Sequence, residues 1–431
     1  MTSQAFALPF LTEADPEQAG EGSLNPLGLA SVADRLADEI APGITARMSR
    51  IRFVTAIAAG AVATESLSDA VASDGVSPAY LAYEWLVVEA LARDRYLPPS
   101  ATLRVPGITK ARTVLARKAH MDSRSYLKTP KVFGFHGIYK RLARDFDLVD
   151  DELMLGPAGD RLVRVWEEEH ALPGFADRKP GTRGGRLASS IQSAVASALA
   201  NSQVTTSLSA HLWAKLVSTL RPDGALPRER ELLLEHLTDP EQPIRREFVL
   251  GIHNMSPDGG EAEMLRFLQT GASPGFKARL RAIDAYEHVA ELLTASLDAM
   301  RRISTARGTS PVDPDELTLH PVLVQASGEL PGALAEAYSR LERVGDVLTQ
   351  AVLVLAEFDD VTTPSGLVQA LLFHHEQVQE RKGKRPWFEQ TPRGFVVRPL
   401  YRAGKDAAVD RRYVHPYRAT AVRSFLDDLT A

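Results

Sequence analysis

HGIYKRLARDFDLVDDELMLGPAGD, residues 136–160, is the stretch on which the fold turns. Its first part, His136–Phe146, reads as a helix carrying Tyr139, Lys140, Arg141 and Arg144. Leu148 to Leu155 reads as a short β-like pair, and Gly156-Pro157-Ala158-Gly159 leads into a helix over Asp160–Glu169. On the N-terminal side, Ile108–Ala119 is a basic helix followed by a loop punctuated by Lys and Gly.

Helix, helix, short β-like pair and Gly-started helix is the element order of a winged-helix domain. The Leu-x-Leu-x-x-x-Gly spacing of Leu153, Leu155 and Gly159 suits a wing that leads into the last helix. In that arrangement the second helix is the element that enters a groove of DNA. Charge points the same way. Between Arg104 and Asp145 there are eleven Lys or Arg against two acids, a local balance of +9. From Arg381 to Arg423 there are twelve against three, again +9. The chain as a whole carries −5, so the remainder is strongly acidic. Segregated positive charge creates local potential that attracts phosphate.

The rest of the pattern predicts a mainly α, multi-domain protein. At 431 residues the length suits roughly two to four domains. Residues 1–24 lack periodicity; from Asn25, Leu27, Leu29, Val32, Leu36 and Ile40 recur at helical spacing and give an N-terminal bundle over 1–100, with further helices at Arg50–Leu67 and Ser77–Arg93. Residues 101–173 form the winged-helix-like basic domain. Residues 174–186, with Pro180-Gly181 and Gly184-Gly185, read as a linker. An acidic helical domain follows over 187–363, its long helix Pro274–Ile303 followed by a segment that Pro331 interrupts. The last part, 364–431, is a small basic α+β domain with a hairpin turned at Pro392-Arg393-Gly394.

Composition excludes several chemistries. Cysteine is absent, so there are no disulfides, no thiolate metal sites and no cysteine nucleophile, which leans toward a reducing, cytoplasmic setting. The N-terminus lacks a basic region followed by an apolar one, and the apolar run Phe53–Thr64 is too short for a membrane span, so no membrane association is expected. No GxxxxGK[ST] phosphate loop and no nucleophile elbow are present. His374 and His375 are adjacent, and Gln379 occupies the position where a zinc hydrolase would place its second His. No catalytic residue, metal or cofactor is therefore assigned. One metal-dependent nuclease reading stays open, with Glu376, Glu380 and Lys382 around a divalent ion, and so does a protein–protein scaffold in which the acidic middle docks a basic partner. The bland reading of the His pair is that it caps or packs a helix.

Nucleic acid, double-stranded DNA in the first place, is the partner these patterns fit best. Lys140, Arg141 and Arg144 would contact groove or phosphate, supported by Arg117, Lys118, Lys128 and Lys131. The C-terminal contribution is Lys382, Lys384, Arg385, Arg393, Arg398, Arg402, Arg411, Arg412 and Arg418, interleaved with Trp387, Phe388, Phe395, Tyr401, Tyr413 and Tyr417. Bases and aromatics together suit charge neutralisation with stacking on exposed bases, although part of those rings must pack the small domain. The winged-helix-like block and the tail with His374-His375, Pro386-Trp387 and Tyr413-Val414-His415-Pro416-Tyr417-Arg418 resemble helical proteins of bacterial anti-phage defence loci. The resemblance implies a DNA-sensing or complex-forming subunit working beside other proteins, and it brings no catalytic residues with it.

Overall fold

The computed structural model describes residues 25–98, 104–205, 209–255, 259–404 and 413–430. The architecture is mainly helical with one two-stranded antiparallel sheet among the described residues. In chain order the first helices are α1 (Ala30–Ile40), α2 (Phe53–Thr64), α3 (Ala79–Arg93), α4 (Ile108–Ala116), α5 (Pro130–Phe133), α6 (Phe135–Asp145), α7 (Pro157–Glu169) and α8 (Arg183–Asn201). There follow α9 (Ala210–Leu220), α10 (Pro227–Leu237), α11 (Pro243–His253), α12 (Glu261–Leu268), α13 (Pro274–Arg307), α14 (Pro321–Leu341), α15 (Val347–Leu355) and α16 (Pro364–Arg381). The strands β1 (Phe388–Thr391) and β2 (Gly394–Val397) precede the last helix, α17 (Ala419–Thr430). Many of these helices open on Pro, whose missing N–H costs nothing in the first turn.

Residue contacts divide the chain into two compact units. Of the described residues, the larger takes those between 40 and 272 and those from 418 onward; the smaller takes those up to 39 and those between 273 and 417. The breaks drawn from composition at 100, 173 and 363 all fall inside one unit or the other. The stretch 174–186 is a folded turn within the larger unit. Phe175 is fully buried there, and a Cβ on Gly184 would lie 2.0 Å from the Leu172 carbonyl oxygen, so backbone meets backbone.

The larger unit is built around α2. All but one of its twelve residues are buried, because its Ala- and Gly-rich surface lets α3, α6, α7 and α8 close on it from several sides. At Gly60 a Cβ would come within 2.6 Å of the Tyr83 ring, so the lack of a side chain there lets α3 in. Phe53 at its start stacks against Phe135 with ring centres 5.1 Å apart and meets the Tyr139 ring at the same distance, tilted by 40°. A carboxylate from another helix repeatedly satisfies the free N–H groups at a helix start. Glu84 serves α6, Glu169 serves α10 through Arg228 and Glu229, and Glu261 serves α17 through Ala419 and Thr420. Deeper in, Arg52 pairs with Glu229 at 2.9 Å, both almost fully buried.

In the smaller unit the long α13 packs against α14, α16 and β2. Helix α14 runs on through Pro331, where an interruption was expected. The hairpin forms as expected, with Thr391 opposite Gly394 and Phe388 opposite Val397, and Val312 adds one bridge to Phe395. Glu287, buried on α13, accepts from His415 Nδ1 and from the Tyr417 hydroxyl, both at 2.7 Å, and so pins residues 413–417. No helix among the described residues is long and apolar enough to cross a membrane.

Candidate nucleic-acid interface

The basic segment 104–145 is held from inside by two carboxylates on α3. Glu84 and Glu89 stand five residues apart, and neither has any exposed surface. Glu89 accepts from the Met121 backbone N–H at 2.7 Å, from His120 Nδ1 at 2.8 Å and from Arg93 at 2.6 Å. Glu84 accepts from the Tyr126 hydroxyl at 2.5 Å, from the N–H groups of Phe135 and His136 at 2.9 and 3.0 Å, and from His136 Nδ1 at 2.9 Å. Burial, and then the Glu84 charge, push the Tyr126 phenol well above its ordinary range, so it stays a donor. Each buried charge is thus compensated, which is the condition under which a carboxylate tolerates such a site.

With the segment fixed, its surface charges face outward. On α4, Ile108, Ala111 and Val114 are buried while Lys110 and Arg112 are exposed. Arg117 and Lys118 follow the helix and are exposed, as are Lys128 and Lys131. Four further exposed cations were not singled out from sequence: Arg104, Lys110, Arg112 and Arg124. Their signal was present in the outward positions of α4 and in the run of charge itself. Arg104, Lys110, Arg117, Lys118, Arg124 and Lys131 have no side-chain ion pair or hydrogen bond among the described residues.

Helix α6, expected to read the groove, holds two of its cations against the acidic turn that follows it. Lys140 Nζ donates to the Asp151 carbonyl at 2.7 Å, and Arg144 forms an ion pair with the Asp151 carboxylate. Tyr139 is buried, its hydroxyl accepting from Ser49 and Arg50 N–H at 2.8 and 2.9 Å. Arg141 on this helix is exposed and also has a partner within the protein. The reason is geometric. Counting charge to Asp145 leaves out Asp150, Asp151 and Glu152, and a single bridge, Val149 to Leu155, folds that acidic turn back beside the helix. The β-like pair reduces to this one bridge.

The C-terminal basic run is largely engaged inside the molecule. Lys382 donates to the Asn25 carbonyl at 2.5 Å, and partial burial beside Lys384 and Arg381 lowers its ammonium below the usual range. Arg398 pairs with Glu389 at 3.3 Å and donates to the Pro386 carbonyl at 3.1 Å. Arg402 is exposed near the Gly308 carbonyl, and Lys384 is half-buried. Arg385 and Arg393 are exposed. Arg411 and Arg412 lie outside the described residues. Arg418 is only 4 % exposed and donates to the Ala41 carbonyl at 2.8 Å, so it cannot reach a phosphate from there. The aromatics offered for stacking are mostly core: Trp387, Phe388, Phe395 and Tyr417 are buried, and Tyr401 stacks on Trp387.

The His pair is structural. His374 Nε2 donates to the Leu27 carbonyl at 2.8 Å. His375 Nδ1 donates to the Pro26 carbonyl at 3.0 Å while its Nε2 accepts the Trp387 N–H at 2.9 Å. Only neutral imidazole can do both, and burial lowers the His375 pKa to about 4. Glu376 accepts from Gln390, and Glu380 is exposed. Among the described residues no group of three His, Asp or Glu is placed to hold a metal ion.

No family model, curated protein or solved structure matches this chain.

Proposed function

We propose that this protein is a non-catalytic nucleic-acid-binding subunit that holds DNA through the exposed cations of residues 104–131. The observation that carries the reading is the set Arg104, Lys110, Arg117, Lys118, Arg124 and Lys131, which have no ion partner among the described residues. They sit on a segment whose backbone is fixed by Glu84 and Glu89. Cations without an internal partner meet a phosphate backbone with no internal ion pair to break first. Helix α4, the α5–α6 pair, the Val149–Leu155 bridge and α7 follow one another in winged-helix-like order. In this reading, however, α4 and the loop after it touch the backbone rather than α6. The defence-locus resemblance adds work within a multi-protein complex. An apolar exposed face on α15, with Leu353 at 70 % exposure and Val352 beside it, supports a protein contact as well.

The test is binding of a short duplex across a salt series. Six phosphate contacts give a slope of log affinity against log salt of about −5, and replacing Lys110, Arg117 and Lys118 by Ala reduces it by about 3. Absence of binding at low salt, or a slope near zero, rejects the reading. Incubating plasmid with Mg²⁺ and comparing Glu376→Ala separates it from a nuclease, for which no structural observation speaks.

A further inference from the structure

Immediately after Lys131 the chain exposes two apolar side chains in succession. Val132 is 43 % exposed and Phe133 is 47 % exposed, inside the most basic part of the larger unit. Scattered surface hydrophobics are ordinary, but these two differ in how they are held. Helix α5 is a single turn closed by Gly134 N–H on the Pro130 carbonyl at 2.8 Å. At Gly134 a Cβ would lie 2.0 Å from the Glu84 carboxylate and 2.7 Å from the Pro130 carbonyl, so the corner has no slack. One residue later Phe135 is fully buried against Phe53, with its N–H on Glu84. Phe133 is therefore presented on a rigid spur. The Arg47 guanidinium lies over its ring at 4.7 Å from the centre, and Lys128 and Lys131 are exposed in the preceding residues.

We infer that Arg47 and Phe133 form a stacking station for an unpaired base of the bound DNA, an inference that rests on the DNA-binding reading above. A flat cation on an aromatic ring, flanked by apolar and basic side chains, offers an unstacked base two planar surfaces and its phosphates their counter-charge. A fully paired duplex keeps its bases stacked on each other and has none to offer except where an apolar wedge opens a step. The preferred ligand is accordingly a duplex with a single-stranded end or junction.

The experiment measures fluorescence anisotropy of the intact protein with two labelled probes. One is a blunt duplex of about 20 base pairs, and the other the same duplex with an overhang of about ten dT nucleotides. The wild type binds the overhang probe about tenfold more tightly. Phe133→Ala and Arg47→Ala abolish that preference while leaving blunt-duplex affinity within about twofold, and Phe133→Tyr retains it. Thermal melting of each variant checks that the fold is kept. Equal affinity of the wild type for both probes, or a preference that survives Phe133→Ala, overturns the stacking station alone. Failure to bind either probe at low salt overturns the DNA-binding reading with it.

Discussion

The buried carboxylate of Glu84 accepts the backbone N–H of Phe135 at 2.9 Å, and through that bond the interior of α3 sets where the basic segment lies. The start of α6 has no side-chain cap of its own, since Gly134 occupies the position. Glu84 supplies from a distance of fifty-one residues in sequence what a local Ser or Asp supplies elsewhere. The same carboxylate holds Tyr126, so loop and helix are fixed together.

Glu84→Ala should therefore be strongly destabilising. It strands the N–H groups of Phe135 and His136 and the Tyr126 hydroxyl in the interior, at a cost of about 3 kcal/mol or more. Urea unfolding gives the number, and Glu84→Gln, which keeps an acceptor, should fall between. A Glu84→Ala protein as stable as wild type contradicts the assigned tether.

His375 makes stability depend on pH. Its pKa in the folded state is about 4 against an ordinary 6.5, so the unfolded chain binds the extra proton first. The stabilisation of the neutral imidazole is complete above pH 6.5 and is lost as pH falls toward 4, by about 3 kcal/mol at most. Asp428, raised to about 6 by burial, works in the opposite sense over part of that range. The readout is consequently the difference in unfolding free energy between wild type and His375→Gln at pH 7 and pH 5, which should shrink at the lower pH. A difference independent of pH would count against it.

Helix α6 and helix α4 should answer differently to mutation. Lys140→Ala removes a side chain already bound to the Asp151 carbonyl and should change duplex affinity by less than about twofold. Lys110→Glu, on the exposed face of α4, should weaken binding by about tenfold or more at low salt. Anisotropy titration of the two variants decides which helix faces DNA.

Gly60→Ala probes the core of the larger unit. The added Cβ would sit 2.6 Å from the Tyr83 ring, whose hydroxyl is tied to the Ala56 carbonyl at 3.0 Å, so the ring cannot easily swing away. Overpacking should cost about 1–3 kcal/mol and lower the melting temperature. A melting temperature at or above that of wild type would show that α2 and α3 can separate without loss.

Local pattern was enough to read the helices, the hairpin at Pro392-Arg393-Gly394 and the helical, core character of Phe53–Thr64, because amphipathic spacing, Pro starts and turn residues act over a few positions. It also located the basic segments, since charge is additive along a chain. Which cations remain available was not legible. Lys140 and Arg144 meet Asp151 only because a bridge at Val149 turns the chain back, Arg418 donates to Ala41 across most of the sequence, and the tail's rings are spent on packing. Nor could sequence show that Glu84 and Glu89, two acids on an apolar helix, are the internal partners of a basic loop. Sequence by itself settled the elements and the total charge of each stretch. Tertiary structure alone decided which charges are neutralised, because an ion pair depends on separation in space, and chain neighbours are a small part of what each side chain meets.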